Sequence, residues 1–208
     1  MAGDAGTPEV VVFADVVCPF AYVGLTRLLE RRHELGRDDV RLRIRAWPLE
    51  LVNGRPVEGE FIGAEIDEIA PQVAPDLFRG FDASTFPETS LPALALTAAA
   101  YDVGAEVGEQ VAMDVRHHLF ELGHDVADPS VLRQIGDAAG VALPAGHEAV
   151  LAEWRLGQRL GVVGSPHFFV AGQSVFCPVL DISRDAERHL HVHVDQGAME
   201  HLLGLCFG

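Results

Sequence analysis

The chain has 208 residues, of which 49% are apolar and 22% charged, the composition of one globular domain rather than of a disordered segment. Its 31 acidic residues outweigh 15 basic ones, all of them Arg, for a net charge of −16; that argues against nucleic-acid or anionic-membrane partners. The longest near-apolar stretch, Leu94 to Tyr101, is far short of a membrane span.

Residues 1–9 carry neither the basic start nor the apolar run of a secretory signal. Three cysteines, Cys18, Cys177 and Cys206, are too few and too scattered for a disulfide framework. A cytoplasmic protein with reduced thiols is expected. Val10 to Ala14 is a continuous β-branched and apolar run, the pattern of a strand buried on both faces. Pro19 suits the first position of a helix. Tyr22, Leu25, Leu28, Leu29 and Leu35 follow at helical spacing and Gly36 ends it. From Val40 to Trp47, apolar residues alternate with Arg41, Arg43 and Arg45, which predicts a half-exposed strand.

Residues 49–90 are rich in Gly, Pro and acid and predict loops with one or two short helices. From 91 to 161 the pattern is helical, with stripes Val107, Val111, Val115, Leu119, Leu122 and Val150, Leu151, Trp154, Leu160. Asp128-Pro129 reads as an N-cap and first helical position, closed by Gly140. His167–Val170 and Ser174–Phe176 flank a turn at Ala171-Gly172-Gln173, a β-hairpin signal. His189–Val194 alternates again, and Met199–Leu205 predicts a last helix. The order is βαβ, helices, hairpin, helix. It predicts an α/β thioredoxin-like fold, with residues 1–59 and 162–208 forming that domain and 60–161 a mainly helical insertion.

Cys18 stands between the first strand and the helix it feeds. There it faces the helix's positive end and unpaired N–H groups, an environment that lowers a Cys pKa from about 8.5 to roughly 3.5–7.5. The competing reading is a small buried hydrophobe. Gly164-Ser165-Pro166, just ahead of the hairpin, offers an X-Pro bond suited to a tight turn beside the nucleophile, or an ordinary strand-start proline.

On Asp15-Val16-Val17-Cys18-Pro19-Phe20-Ala21-Tyr22-Val23-Gly24, Asp128-Pro129 and Leu160 to Val170, the chain resembles the DsbA-like branch of the thioredoxin superfamily. The resemblance extends over nearly the whole chain. It is similar to the group holding FrnE-type oxidoreductases, kappa-class glutathione transferases and hydroxychromene-carboxylate isomerases. The resemblance implies a cis bond at Pro166 and a Ser165 backbone that meets a bound thiol or peptide. It also implies monomers or homodimers, and helices that cap the active site. Where the family carries a second motif cysteine, this chain has Ala21, so no disulfide can close within the motif. Three readings remain. Cys18 acts as a monothiol on a disulfide or a low-molecular-weight thiol such as glutathione. Alternatively, the site serves a thiol-dependent transferase or isomerase of a small hydrophobic substrate. In the third, the fold is a non-catalytic binding module.

Cys18, Pro166 and Ser165 are therefore the candidate catalytic set, with Pro19, Phe20, Tyr22 and His167 as candidate substrate contacts. Cys177 follows the return strand and is either a resolving thiol near Pro166 or a buried, inert one. Cys206 reads as packing. Asp15 either assists proton transfer or hydrogen-bonds at the helix entry. Phe20 and Trp47 also fit wall or core aromatics. His189, His191 and His193, with Asp195, share one strand face and read as a solvated face more readily than a metal site. His117, His118 and His124 read as surface or core-edge histidines. No bound metal or tightly held cofactor is expected.

Overall fold

The computed structural model describes residues 9–177, 180–184, 190–194 and 196–208, and gives the backbone alone for 180–184, 190–194 and 196. Strand β1 (Glu9–Ala14) runs parallel to β2 (Arg41–Ala46) through helix α1 (Pro19–Glu34). β1 also pairs antiparallel with β3 (His167–Val170), which turns into β4 (Gln173–Phe176), giving the order β2-β1-β3-β4. This is the predicted thioredoxin-like α/β architecture. Between β2 and β3 lie α2 (Leu49–Asn53), α3 (Gly59–Val73), a 3-10 turn at 83–85, α4 (Leu91–Val103), α5 (Ala105–Phe120), α6 (Pro129–Ala139) and α7 (Glu148–Leu160). A separate antiparallel pair, β5 (Leu180–Arg184) and β6 (Leu190–Val194), precedes α8 (Gln196–Phe207).

The double-faced burial expected of β1 is present. Val10, Val12 and Ala14 enter the main core with Leu42, Ile44 and Phe168. Phe13 points to the other face, where it meets Trp47 and Val162 with Trp154, Leu156 and Phe169 packed around them. The hairpin closes through two residues in the left-handed region, Ala171 (φ 50°) and Gly172 (φ 74°), since Val170 pairs directly with Gln173. The turn is thus one residue shorter than the sequence suggested.

Other elements depart from the sequence reading as well. α3 is a 15-residue helix, not a short one. Its buried Ile62, Ile66 and Ile69 form a true helical stripe, diluted in sequence by Gly59, Gly63 and Pro71. Leu122 lies past the end of α5 and Leu160 at the end of α7, and both are half exposed. β5 was not anticipated, since Leu180–Arg184 mixes apolar, acidic and basic residues. His189 and Asp195 lie outside the described residues, as do the side chains of His191 and His193, so the histidine strand face expected there does too.

β2 is an edge strand, and its outward backbone groups are met by side chains from three helices. Leu42 N–H donates to Glu109 (3.0 Å), Ile44 N–H to the Tyr101 hydroxyl (2.9 Å) and Ala46 N–H to Glu153 (2.8 Å). Tyr101 also donates to the Leu42 carbonyl at 2.9 Å. The helices thus satisfy an edge that would otherwise template pairing with another chain. Tyr101→Phe leaves two buried backbone groups unpaired, with an expected loss of about 1–3 kcal/mol in urea unfolding.

Candidate active site around Cys18

Cys18 is the N-cap residue of α1, with extended backbone (φ −83°, ψ 113°) and Pro19 at the first helical position. Its thiol donates to the Ser165 carbonyl at 3.2 Å, and the Ser165–Pro166 peptide bond is cis. The Ser165 hydroxyl accepts from Asp15 N–H at 2.9 Å. Two segments almost 150 residues apart are thus joined at the thiol from both sides. The structure brings together Cys18, Ser165 and Pro166, the candidate catalytic set of the sequence.

The electrostatics differ from the sequence expectation. Cys18 is 3% exposed, and burial pushes its thiol up to about 12, with the charges of Glu65 and Asp15 adding to the rise. The Ser165 and Ala21 contacts act in the opposite direction but do not offset it. The helix terminus favours the thiolate, but desolvation is the larger effect here. Pro19 also has no N–H to offer the sulfur. In this closed arrangement Cys18 is a neutral thiol.

Beneath it lies a charged cluster that sequence reasoning identified only in part. Asp15 is fully buried. Its carboxylate accepts from Val17 N–H (3.3 Å) and from Leu49 N–H, and bonds the Ser90 side chain. Burial raises it to about 6, against those hydrogen bonds and the Arg116 charge. Arg116, from α5, is 1% exposed. It donates to the carbonyls of Ala112 (2.6 Å) and Asp15 (3.2 Å), while its Nε finds no partner among the described residues. Burial lowers its guanidinium to about 10, and the Asp15 charge leads the groups that resist the fall. Arg116 was missed because an Arg on a helix reads as solvated. Its place next to the apolar residue Val115 was the only signal. A crevice of about 10 Å³, lined by Asp15, Glu50, Thr89 and Ser90 among others, reaches this cluster.

The candidate substrate contacts are distributed differently. Pro19 and Phe20 are buried at the start of α1. Tyr22 stacks on Phe120 (5.0 Å between centroids), meets Phe78 edge-on and donates to Glu121 at 3.0 Å. Glu121 also accepts the N–H groups of Phe78 and Arg79, so Tyr22 ties α1 to the helices above it. His167 lies in register with Phe13, on the face opposite Val12. Its Nδ1 accepts from Val163 N–H (3.2 Å), so Nε2 carries the proton toward the Ser174 hydroxyl (2.6 Å). The ring stacks on Phe169, and burial lowers its pKa.

Cys177 N–H donates to the Pro166 carbonyl at 2.9 Å. Its backbone therefore adjoins the proline, as the hairpin geometry implied, and its φ of 39° is unusual for a residue with a side chain. All three cysteines are buried and unpaired with one another as disulfides; burial also pushes Cys206 up to about 12. Val163 and Phe176 are exposed apolar residues near Pro166. The Phe176 ring lies over Gly164, where a Cβ would come within 2.5 Å of it.

A strand-to-helix cysteine against an X-Pro turn, in a four-stranded mixed sheet interrupted by helices, defines a thioredoxin-fold protein of the DsbA kind. The chain matches the DSBA-like thioredoxin domain over residues 9–186, and it belongs to that family. No curated protein sequence matches it. Among solved structures it resembles the cytosolic disulfide reductase DsbM of Pseudomonas aeruginosa, at 18% identity over 93% of this chain and 96% of that one (TM-score 0.59). It also resembles a probable DsbA oxidoreductase of Streptomyces coelicolor (22% identity, 77% and 79% covered, TM-score 0.59). A third is a 2-hydroxychromene-2-carboxylate isomerase (14% identity, 81% and 88% covered, TM-score 0.60). At these identities the likeness shows the fold. Among the described residues, no helix is long and apolar enough to cross a membrane.

Proposed function

We propose that the chain is a monothiol thiol-disulfide oxidoreductase that acts through Cys18 in the cytoplasm. The observation that carries this reading is the Cys18 thiol, at the start of α1, bonded at 3.2 Å to the Ser165 carbonyl beside Pro166. When the helices above α1 lift and water reaches the sulfur, desolvation is relieved and the helix terminus favours the thiolate. The thiolate attacks one sulfur of a small disulfide, forming a Cys18–S–S–R bond and releasing R–S⁻. A second small thiol, glutathione or an equivalent, then attacks the R sulfur. A new small disulfide leaves and Cys18 is restored as thiolate. Val163 and Phe176 give the substrate an apolar rim. Ala21 leaves no resolving thiol in the motif, so the second thiol comes from solution, with Cys177 as the internal alternative.

A second reading follows from burial: with its thiol pushed up to about 12, Cys18 serves packing and the chain is a binding module. The two readings separate in a Cys177→Ser/Cys206→Ser protein treated with glutathione disulfide and followed by intact mass. The expected result is one glutathione adduct on Cys18, removed by free glutathione. Alkylation of the closed protein at pH 7.5 should be about 10³-fold slower than that of free cysteine. Glu121→Ala, which releases Tyr22, Phe78 and Arg79, should speed it about tenfold by favouring local opening. A Cys18 that stays unmodified in both proteins until denaturant is added leaves the binding module as the function.

A further inference from the structure

At the end of α5 two imidazoles face each other. Nδ1 of His118 lies 3.0 Å from Nδ1 of His124, and the ring centroids are 5.1 Å apart. The two residues are also joined through the backbone, where His124 N–H donates to the His118 carbonyl at 2.9 Å. His124 is exposed and His118 half buried.

We propose that His118 and His124 form a bidentate seat for a divalent first-row transition-metal ion such as Ni²⁺ or Zn²⁺, each binding through Nδ1. Two nitrogens held at right angles around one ion at roughly 2.0–2.1 Å lie about 2.8–3.0 Å apart, and about 3.3–3.4 Å apart in a tetrahedron. The observed spacing meets the first and approaches the second. The ion takes the place of the one proton that the two facing nitrogens can share. Among the described residues, no group of three or more metal-ligating side chains converges, so water completes the coordination shell. Imidazole suits nickel and zinc, whereas magnesium and calcium prefer oxygen. The two histidines bracket Glu121, which holds Tyr22, Phe78 and Arg79. A bound ion therefore clips the turn that anchors the helices over α1.

The test is calorimetric titration of Ni²⁺, and separately Zn²⁺, into the full chain. His189, His191 and His193 are changed to Asn beforehand, so that this second imidazole run in the sequence contributes nothing. Saturable one-to-one binding is expected, weakened at least about tenfold by His124→Ala, with no response to Mg²⁺. In the parent, Ni²⁺ should selectively broaden the NMR ring signals of His118 and His124. Binding that is unchanged in a folded His124→Ala protein, or no saturable binding in a folded parent, overturns the proposal.

Discussion

Replacing Glu109 with Leu is expected to cost about 3–5 kcal/mol of stability, because it leaves a buried guanidinium without its counter-charge. Glu109 receives Arg32 on both oxygens, at 2.8 and 2.6 Å, and the N–H of Leu42 on the outer edge of β2 at 3.0 Å. Both side chains of the ion pair are largely withdrawn from water, with relative exposures of 14% and 9%. Leu at 109 strands a buried guanidinium and an edge N–H at once. Arg32 keeps only its bond to the Val40 carbonyl. The double variant Arg32→Met/Glu109→Leu should recover most of the loss, because removing both charges removes the desolvation cost as well. The residue of about 1–3 kcal/mol belongs to the orphaned Leu42 N–H. Urea unfolding of the four proteins in a double-mutant cycle measures both parts. A single variant within about 1 kcal/mol of the parent would mean that β2 is held without this pair.

The sheet and the place of Cys18 were legible because both rest on local rules. The run from Val10 to Ala14, the alternation from Val40 to Trp47 and the Pro19 start each encode their element within a few residues. The hairpin was marked by Ala171-Gly172. What was hidden depends on contacts distant in sequence. Glu109, Tyr101 and Glu153 look like ordinary helical residues until β2 is laid beside them. Arg116 looks solvated until α5 packs beneath Asp15. The balance between the two readings of Cys18 was hidden for the same reason: the helix terminus is written in the adjoining residues, whereas the burial that raises its thiol depends on segments distant in the chain. α3 was obscured by its own glycines and proline, although the Ile62, Ile66, Ile69 spacing was present throughout.

Asp15→Asn is expected to flatten the dependence of stability on pH. In the folded chain the Asp15 carboxyl sits at about 6, against an ordinary 3.8. Between those values the folded chain binds a proton that the unfolded chain has released, so unfolding free energy falls as pH rises. The contribution is complete below about pH 4 and lost as pH passes through 6; the gap corresponds to about 3 kcal/mol. Asn carries no charge at any pH, but its one carbonyl can accept only one of the two N–H groups, from Val17 and Leu49, that the carboxylate receives. That loss of about 1–3 kcal/mol applies at every pH. The parent should therefore be clearly the more stable at pH 4 and lose that lead by pH 7.5, as read from urea midpoints across the range. A difference between the two proteins that stays constant with pH would place the carboxyl in contact with water. The same substitution should quicken Cys18 alkylation near pH 8, since the Asp15 charge opposes the thiolate. Arg116 is the counter-charge in this buried cluster. With Asp15 neutral, its field is no longer offset by that carboxylate.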